Sequence, residues 1–149
     1  MRFARSTLLV SLLALAGAVQ AQAARYEIDP NHLSIGFLVE HIGYDKVLGM
    51  FLKGKGSFVF DESKGALSEV RVEVETESVF TNQKQRDSHI RGDDFLAAGK
   101  HPAMVFTASG AKRTGERSFE VAGQLQLRGK SQPLVLQATW NKSAETPIT

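Results

Sequence analysis

Apolar and polar residues alternate with a period of two through most of this chain, and that period predicts strands. From Leu67 to Ser78, Val70, Val72, Val74 and Thr76 alternate with Glu69, Arg71, Glu73, Glu75 and Glu77, which gives one greasy and one wet face. Leu48 to Phe60 reads as one longer strand, with Leu48, Met50, Leu52, Gly54, Gly56, Phe58 and Phe60 on a face opposite Lys53, Lys55 and Ser57. Its two inward glycines thin the wall and let the strand bend. Asp61-Glu62-Ser63-Lys64-Gly65 supplies the turn between these two strands. Ser34 to Ile42 places Ile35, Phe37, Val39 and His41 on one face, and Ala103 to Ser109, Ser118 to Leu127 and Gln132 to Trp140 continue the pattern. Thr114-Gly115-Glu116 and Arg128-Gly129-Lys130 are the late turns. With Arg25 to Ile28 this makes about seven strands joined mostly by short connections, an antiparallel up-and-down meander.

The period changes only between Thr81 and Pro102. Asp87 and Arg91 stand four apart, as do Ile90 and Asp94, so Arg86, Asp87, Ile90, Arg91 and Asp94 share one or two helical turns. Phe95-Leu96 then offers an apolar plug, and Pro102 returns the backbone to extended geometry. One short helix between the fourth and fifth predicted strands is suited to covering a barrel end.

Charge and composition narrow the function. The chain has 149 residues, enough for one domain with a core. Arg2 and Arg5 precede an apolar run from Leu8 to Val19, followed by small residues at Val19-Gln20-Ala21 and Ala21-Gln22-Ala23. Residues 1–23 read as a cleaved signal peptide, because the run is too short to span ~30 Å of hydrocarbon. The mature protein is then expected in the periplasm, not integral to the membrane, and without a cysteine to carry a lipid anchor. Loss of Arg2 and Arg5 takes the 18 Lys+Arg to 16, against 16 Asp+Glu. A neutral chain has no global reason to bind nucleic acid. The absence of cysteine removes disulfides, thiolate nucleophiles and cysteine metal sites.

The motif Arg86-Asp87-x-His89-Ile90-Arg91-x-x-Asp94-Phe95-Leu96, followed by His101-Pro102, closely resembles the YceI-like family of bacterial polyisoprenoid-binding proteins. Tyr26-x-Ile28-Asp29-Pro30-x-His32-x-Ser34-Ile35-x-Phe37, Gly49-x-Phe51 with Gly56-x-Phe58-x-Phe60-Asp61, and Leu125-x-Leu127-Arg128-Gly129-x-x-x-Pro133-Leu134-x-Leu136 resemble further segments in the same order. The resemblance implies a lipocalin-like antiparallel barrel that holds a long isoprenoid or fatty chain. Family members continue beyond the strand like Gln132 to Trp140 with a hairpin carrying Asp-Phe-Gly, which this sequence lacks. Residues 24–149 are therefore expected to form a C-terminally shortened, incomplete barrel. Its open edges invite another chain, a homodimer among the options.

The inward apolar set is Phe37, Met50, Leu52, Phe58, Val70, Val72, Val74, Met104, Phe106, Phe119, Val121, Leu125, Leu136 and Trp140. Such a set either packs as a core or lines a tunnel, and a barrel of ~8 strands admits both. Gly54, Gly56, Ala108 and Gly123 favour the open version, and the resemblance selects a tunnel for a polyisoprenoid, quinone-type or fatty-acid ligand. His32, His41, Arg86, Asp87 and His89 are the candidates for its polar head. For the helix charges the competing reading is a solvated surface with internal ion pairs. Histidines at 32, 41, 89 and 101 show no metal-ligand spacing, so neither metal nor cofactor is expected. Asp87, Ser88 and His89, or Asp93 and Asp94, are sequence neighbours that point apart on a helix, and no nucleophile or nucleotide motif appears. The expectation is a non-catalytic lipid carrier. The alternative is a protein-interaction or stress-response module that uses exposed edge strands and binds no lipid.

Overall fold

A computed structural model describes residues 23–144. The expected export signal therefore falls outside the described residues, apart from Ala23. Among the described residues, ten strands form two antiparallel sheets, accompanied by one α-helix. The larger sheet has the order β1 (Ala24–Glu27), β4 (Gly54–Asp61), β5 (Ala66–Glu75), β7 (Ala103–Gly110), β9 (Ser118–Leu127), β10 (Lys130–Thr139), with the short β8 (Lys112–Arg113) also on β9. The smaller sheet is β2 (Ile35–His41), β3 (Asp45–Phe51) and β6 (Val79–Phe80). The fold is the expected antiparallel β architecture with one short helix, and it is not a closed barrel: no ladder joins β1 to β10 among the described residues.

The larger sheet is rolled. Neighbouring strands lie ~4.8 Å apart, so β4 and β9, separated by β5 and β7, would stand ~14 Å apart if flat. Instead the Phe60 and Phe119 rings meet edge to face at 6.1 Å, and Phe60 meets Trp140 at 5.1 Å. Phe60, Phe106, Ala108, Phe119 and Val121 are buried together on the concave side.

The long strand expected from Leu48 to Phe60 is two strands in different sheets. The chain turns a corner at Leu52-Lys53, where Leu52 N–H donates to Ser78 O at 3.1 Å and Lys53 N–H to Ser78 Oγ at 3.1 Å. The strand expected to run to Ser78 stops at Glu75 for a related reason. Thr76 Oγ1 donates to His101 O at 2.7 Å, and Ser78 Oγ donates to Glu75 O at 2.6 Å. These hydroxyls satisfy backbone groups that a continuing ladder would use. Residues Thr76–Ser78 form a 3-10 turn, and the chain re-enters as β6.

The helix α1 (Lys84–Arg91) is capped by Gln83, whose side chain accepts from Arg86 N–H at 2.5 Å. It does not carry the expected internal ion pairs. Asp87 is buried and accepts from Thr81 N–H at 2.8 Å and Thr81 Oγ1 at 2.5 Å. Arg86 Nε donates to Thr81 Oγ1 at 2.7 Å, while Arg91 reaches the carbonyls of Glu77 and Val79 at 2.8 and 2.7 Å. The charges strap α1 to the segment that carries β6, whose Val79 is fully buried. Phe95 is half exposed and lies edge-on to His89 at 4.9 Å, so it is no plug; Ala97 and Ala98 are buried instead.

Candidate functional site

The concave side of the rolled sheet holds an open cavity of about 890 Å³, within the ~300–1,000 Å³ range of ligand sites. Its wall is built by strand alternation. From β4 come Phe58 and Phe60, from β5 Leu67, Val70 and Val72, from β9 Phe119 and Val121, and from the β10 region Leu136, Ala138 and Trp140. Tyr26 and Ile28 complete it from the β1 side. Tyr26 stacks on Phe58 with ring centres 5.3 Å apart and planes 11° apart, which lays both aromatics along the wall. Glu62 and Lys142 are the charged side chains at its rim.

Of the inward set read from the sequence, Phe58, Val70, Val72, Phe119, Val121, Leu136 and Trp140 line this cavity. Val74, Met104 and Phe106 share the concave side by pairing Val74 with Met104 and Val72 with Phe106, but lie beyond the cavity. Leu125 belongs to a second, smaller chamber described below. Phe37, Met50 and Leu52 are elsewhere. Phe37 pairs with Gly49 and Met50 with Gly36, so the two stand on opposite faces of the small sheet. Phe37 lays its ring on Gly49 and against Phe51 at 5.4 Å. Leu52 sits at the corner between the sheets and is 59% exposed.

Sequence reasoning missed Tyr26, Ile28, Phe60 and Leu67 as lining residues. Leu67 was hidden by a bulge. Between Leu67 and Val70 the register shifts and Glu69 takes a positive φ of 50°, so residues three apart share a face. The small inward residues do not hollow the interior as expected. A Cβ on Gly54 would meet Leu33 at 2.8 Å, on Gly56 it would meet Ile28 at 2.8 Å, and on Gly123 it would meet the Phe106 ring at 2.6 Å. Their space is already filled by neighbouring side chains and, at Gly56 and Gly123, by the backbone carbonyls of Arg71 and Thr107.

None of the five polar candidates lines the cavity. His32 is exposed and bonded to Asp29 at 2.6 Å; the Asn31 backbone N–H, and then this histidine, hold the Asp29 carboxyl below its usual range. His41 ends β2 in solvent. Arg86 and Asp87 are engaged with Thr81, and His89 stands 3.6 Å from Asp94 on the outer surface. Asp87 and His89 thus face different neighbours. Among the described residues no cluster of three or more His, Asp or Glu is placed to hold a metal ion, and no helix is long and apolar enough to cross a membrane.

The sequence profile of the YceI-like domain matches residues 26–149. A UPF0312 protein of Pseudomonas savastanoi pv. phaseolicola is 40% identical over 136 residues, covering 90% of this chain and 71% of the relative. Among solved structures, BcnA of Burkholderia cenocepacia superposes with a TM-score of 0.72 at 21% identity, over 78% of this chain and 73% of that one. A polyisoprenoid binding domain from Saccharophagus degradans, implicated in plant cell wall breakdown, superposes with a TM-score of 0.55 at 16% identity, over 70% and 60%. At those identities the two structures show a shared fold.

Proposed function

The chain belongs to the YceI-like domain family, and from that premise we propose that it binds and carries a long-chain lipid without converting it chemically. The class is a polyisoprenoid, quinone-type or fatty-acid derivative, carried by an exported protein through the periplasm. One observation carries the reading: an aromatic and aliphatic cavity of about 890 Å³ stands open inside the rolled sheet. The polyisoprenoid binding domain with the same fold supports it. Each methylene moved from water into such a wall contributes ~0.8 kcal/mol, so a long tail binds with few polar contacts.

Trp140 is the single tryptophan and lines the cavity, so its emission reports occupancy. Organic extraction of the purified protein, followed by mass spectrometry, is expected to release a stoichiometric chain lipid. The stripped protein should show a saturable Trp140 change on lipid addition. An empty extract with no titration would end the reading. A second reading has its own observation: the β2–β3 hairpin exposes Leu38, Val39, Ile42, Tyr44 and Leu48, a patch suited to a protein partner or a second copy. A discrete complex in solution with an unoccupied cavity would favour it.

A further inference from the structure

Toward the β9–β10 turn lies a second, separate chamber of about 450 Å³. Its floor continues the wall of the first: Leu125 and Leu127 follow Phe119 and Val121 by the same period of two. Opposite them, β10 presents Gln132 across from Leu125 and Lys130 across from Leu127. His101 closes the third side, half buried. The side chains of His101, Lys130 and Gln132 have no hydrogen-bonding or ionic partner among the described residues. Arg128 stands at the rim, its guanidinium donating to Asp93 O at 2.8 Å. Among the described residues no acid lines this chamber, whereas the first cavity has both Glu62 and Lys142 among its lining residues. Between the two lies the Phe106 ring, resting on Gly123.

We propose that this chamber receives the acidic head of a chain lipid, a carboxylate or a phosphate monoester. Lys130 and His101 contact the oxygens and Gln132 donates a hydrogen bond, while the tail runs past Phe106 into the larger cavity. This rests on the lipid-carriage reading above and gives it a direction and a ligand class. The concave face of β9 from Leu127 to Phe119 is roughly 26 Å long at ~3.3 Å per residue, a span that suits an extended chain rather than a compact ligand. Three unpartnered polar side chains on an apolar floor fit an amphiphile's junction of head and tail. Charge-assisted bonds to an oxyanion are the strong kind.

The test uses palmitate, hexadecyl phosphate and 1-hexadecanol as probes, titrated into the stripped full-length mature protein with Trp140 emission as the signal. One or both acids should bind about tenfold or more tighter than the alcohol, and the tighter acid identifies the head. The pair of changes Lys130→Gln and His101→Gln should weaken the acids about tenfold and leave 1-hexadecanol within about twofold. Lys142→Gln, at the rim of the larger cavity, should weaken the acids less than the double change does. Equal affinity for acid and alcohol, indifference to the double change, or transfer of the loss to Lys142→Gln would overturn the proposal while leaving lipid carriage intact. Failure of all three probes to bind would remove the carriage reading and this inference together.

Discussion

Phe60→Ala tests the packing that holds the rolled sheet together. Phe60 is 6% exposed and joins β4 to Phe119 and Trp140 across the concave side. Two aromatic contacts at ~0.5–1.5 kcal/mol each, added to the lost burial, place the change in the ~3–5 kcal/mol band for Phe→Ala. The low end applies. Part of that cost normally comes from opening a void, and here the deleted ring already borders a cavity of about 890 Å³. A loss of about 3 kcal/mol follows. Urea unfolding followed by far-ultraviolet circular dichroism measures it. With a slope of ~2 kcal/mol/M, the midpoint should fall by about 1.5 M at unchanged slope. Tyr44→Ala, at an 88% exposed aromatic, should stay within about 0.5 kcal/mol and serves as the control. A Phe60→Ala loss below about 1 kcal/mol would mean that β4 and the β9–β10 pair do not pack on one another, and the cavity would lose its wall.

Three further outcomes are expected. Asp61 accepts from Ser63 Oγ and the Lys64 backbone and pairs with the Lys64 ammonium, which lowers its pKa from 3.8 to about 2. Its stabilising contribution is complete above pH 3.8 and lost as pH falls toward 2, so Asp61→Asn should flatten the stability–pH curve within that window and leave it unchanged in shape at neutral pH. Thr81→Val removes the hydroxyl that donates to buried Asp87 and accepts from Arg86; thermal unfolding should show a loss of about 2 kcal/mol, with hydrogen-exchange protection falling first in α1. Val72→Glu sets a carboxylate on the cavity wall; losing the contact of about two methylenes at ~0.8 kcal/mol each weakens 1-hexadecanol about tenfold in a Trp140 titration.

The strands that alternate cleanly were legible because alternation is a local property. β5, β9 and β10 lie close to the strands predicted at Leu67 to Ser78, Ser118 to Leu127 and Gln132 to Trp140. The corner at Leu52-Lys53 was not legible, because the period of two runs through it unbroken. What breaks the strand is Ser78, twenty-five residues away, which takes both backbone amides. The helix was readable from its spacing, but its partners were not. Arg86, Asp87 and Arg91 look like a solvated charge run until β6 is placed beside them, and two residues of strand carry too little pattern to announce themselves. Tyr26 and Ile28 had a signal in their alternation with Arg25 and Glu27; what was missing was the antiparallel pairing with β4 that sets Tyr26 against Phe58.

A rolled sheet encloses a core or a cavity according to where its large side chains lie, and Phe106 is the decisive one. Its ring is buried and lies on Gly123 between the two chambers; a side chain at 123 denies it that seat. Gly123→Ala adds a methyl against the Thr107 carbonyl and 2.6 Å from the Phe106 ring. The Thr107 carbonyl is the nearer of the two and belongs to β7, paired with β9 at Thr107 and Gln124, so the local ladder must shift and the ring must leave its seat. The strain should cost about 1–3 kcal/mol. Binding should change more selectively than stability. A chain short enough to stay on one side of Phe106 is indifferent to the displaced ring, whereas one that passes it must displace the ring again. Titrated through Trp140, 1-hexadecanol should weaken about tenfold and 1-octanol within about twofold. Equal loss for both would mean that the substitution acts on the sheet as a whole. Unchanged 1-hexadecanol binding would mean that the tail does not run past Phe106 at all.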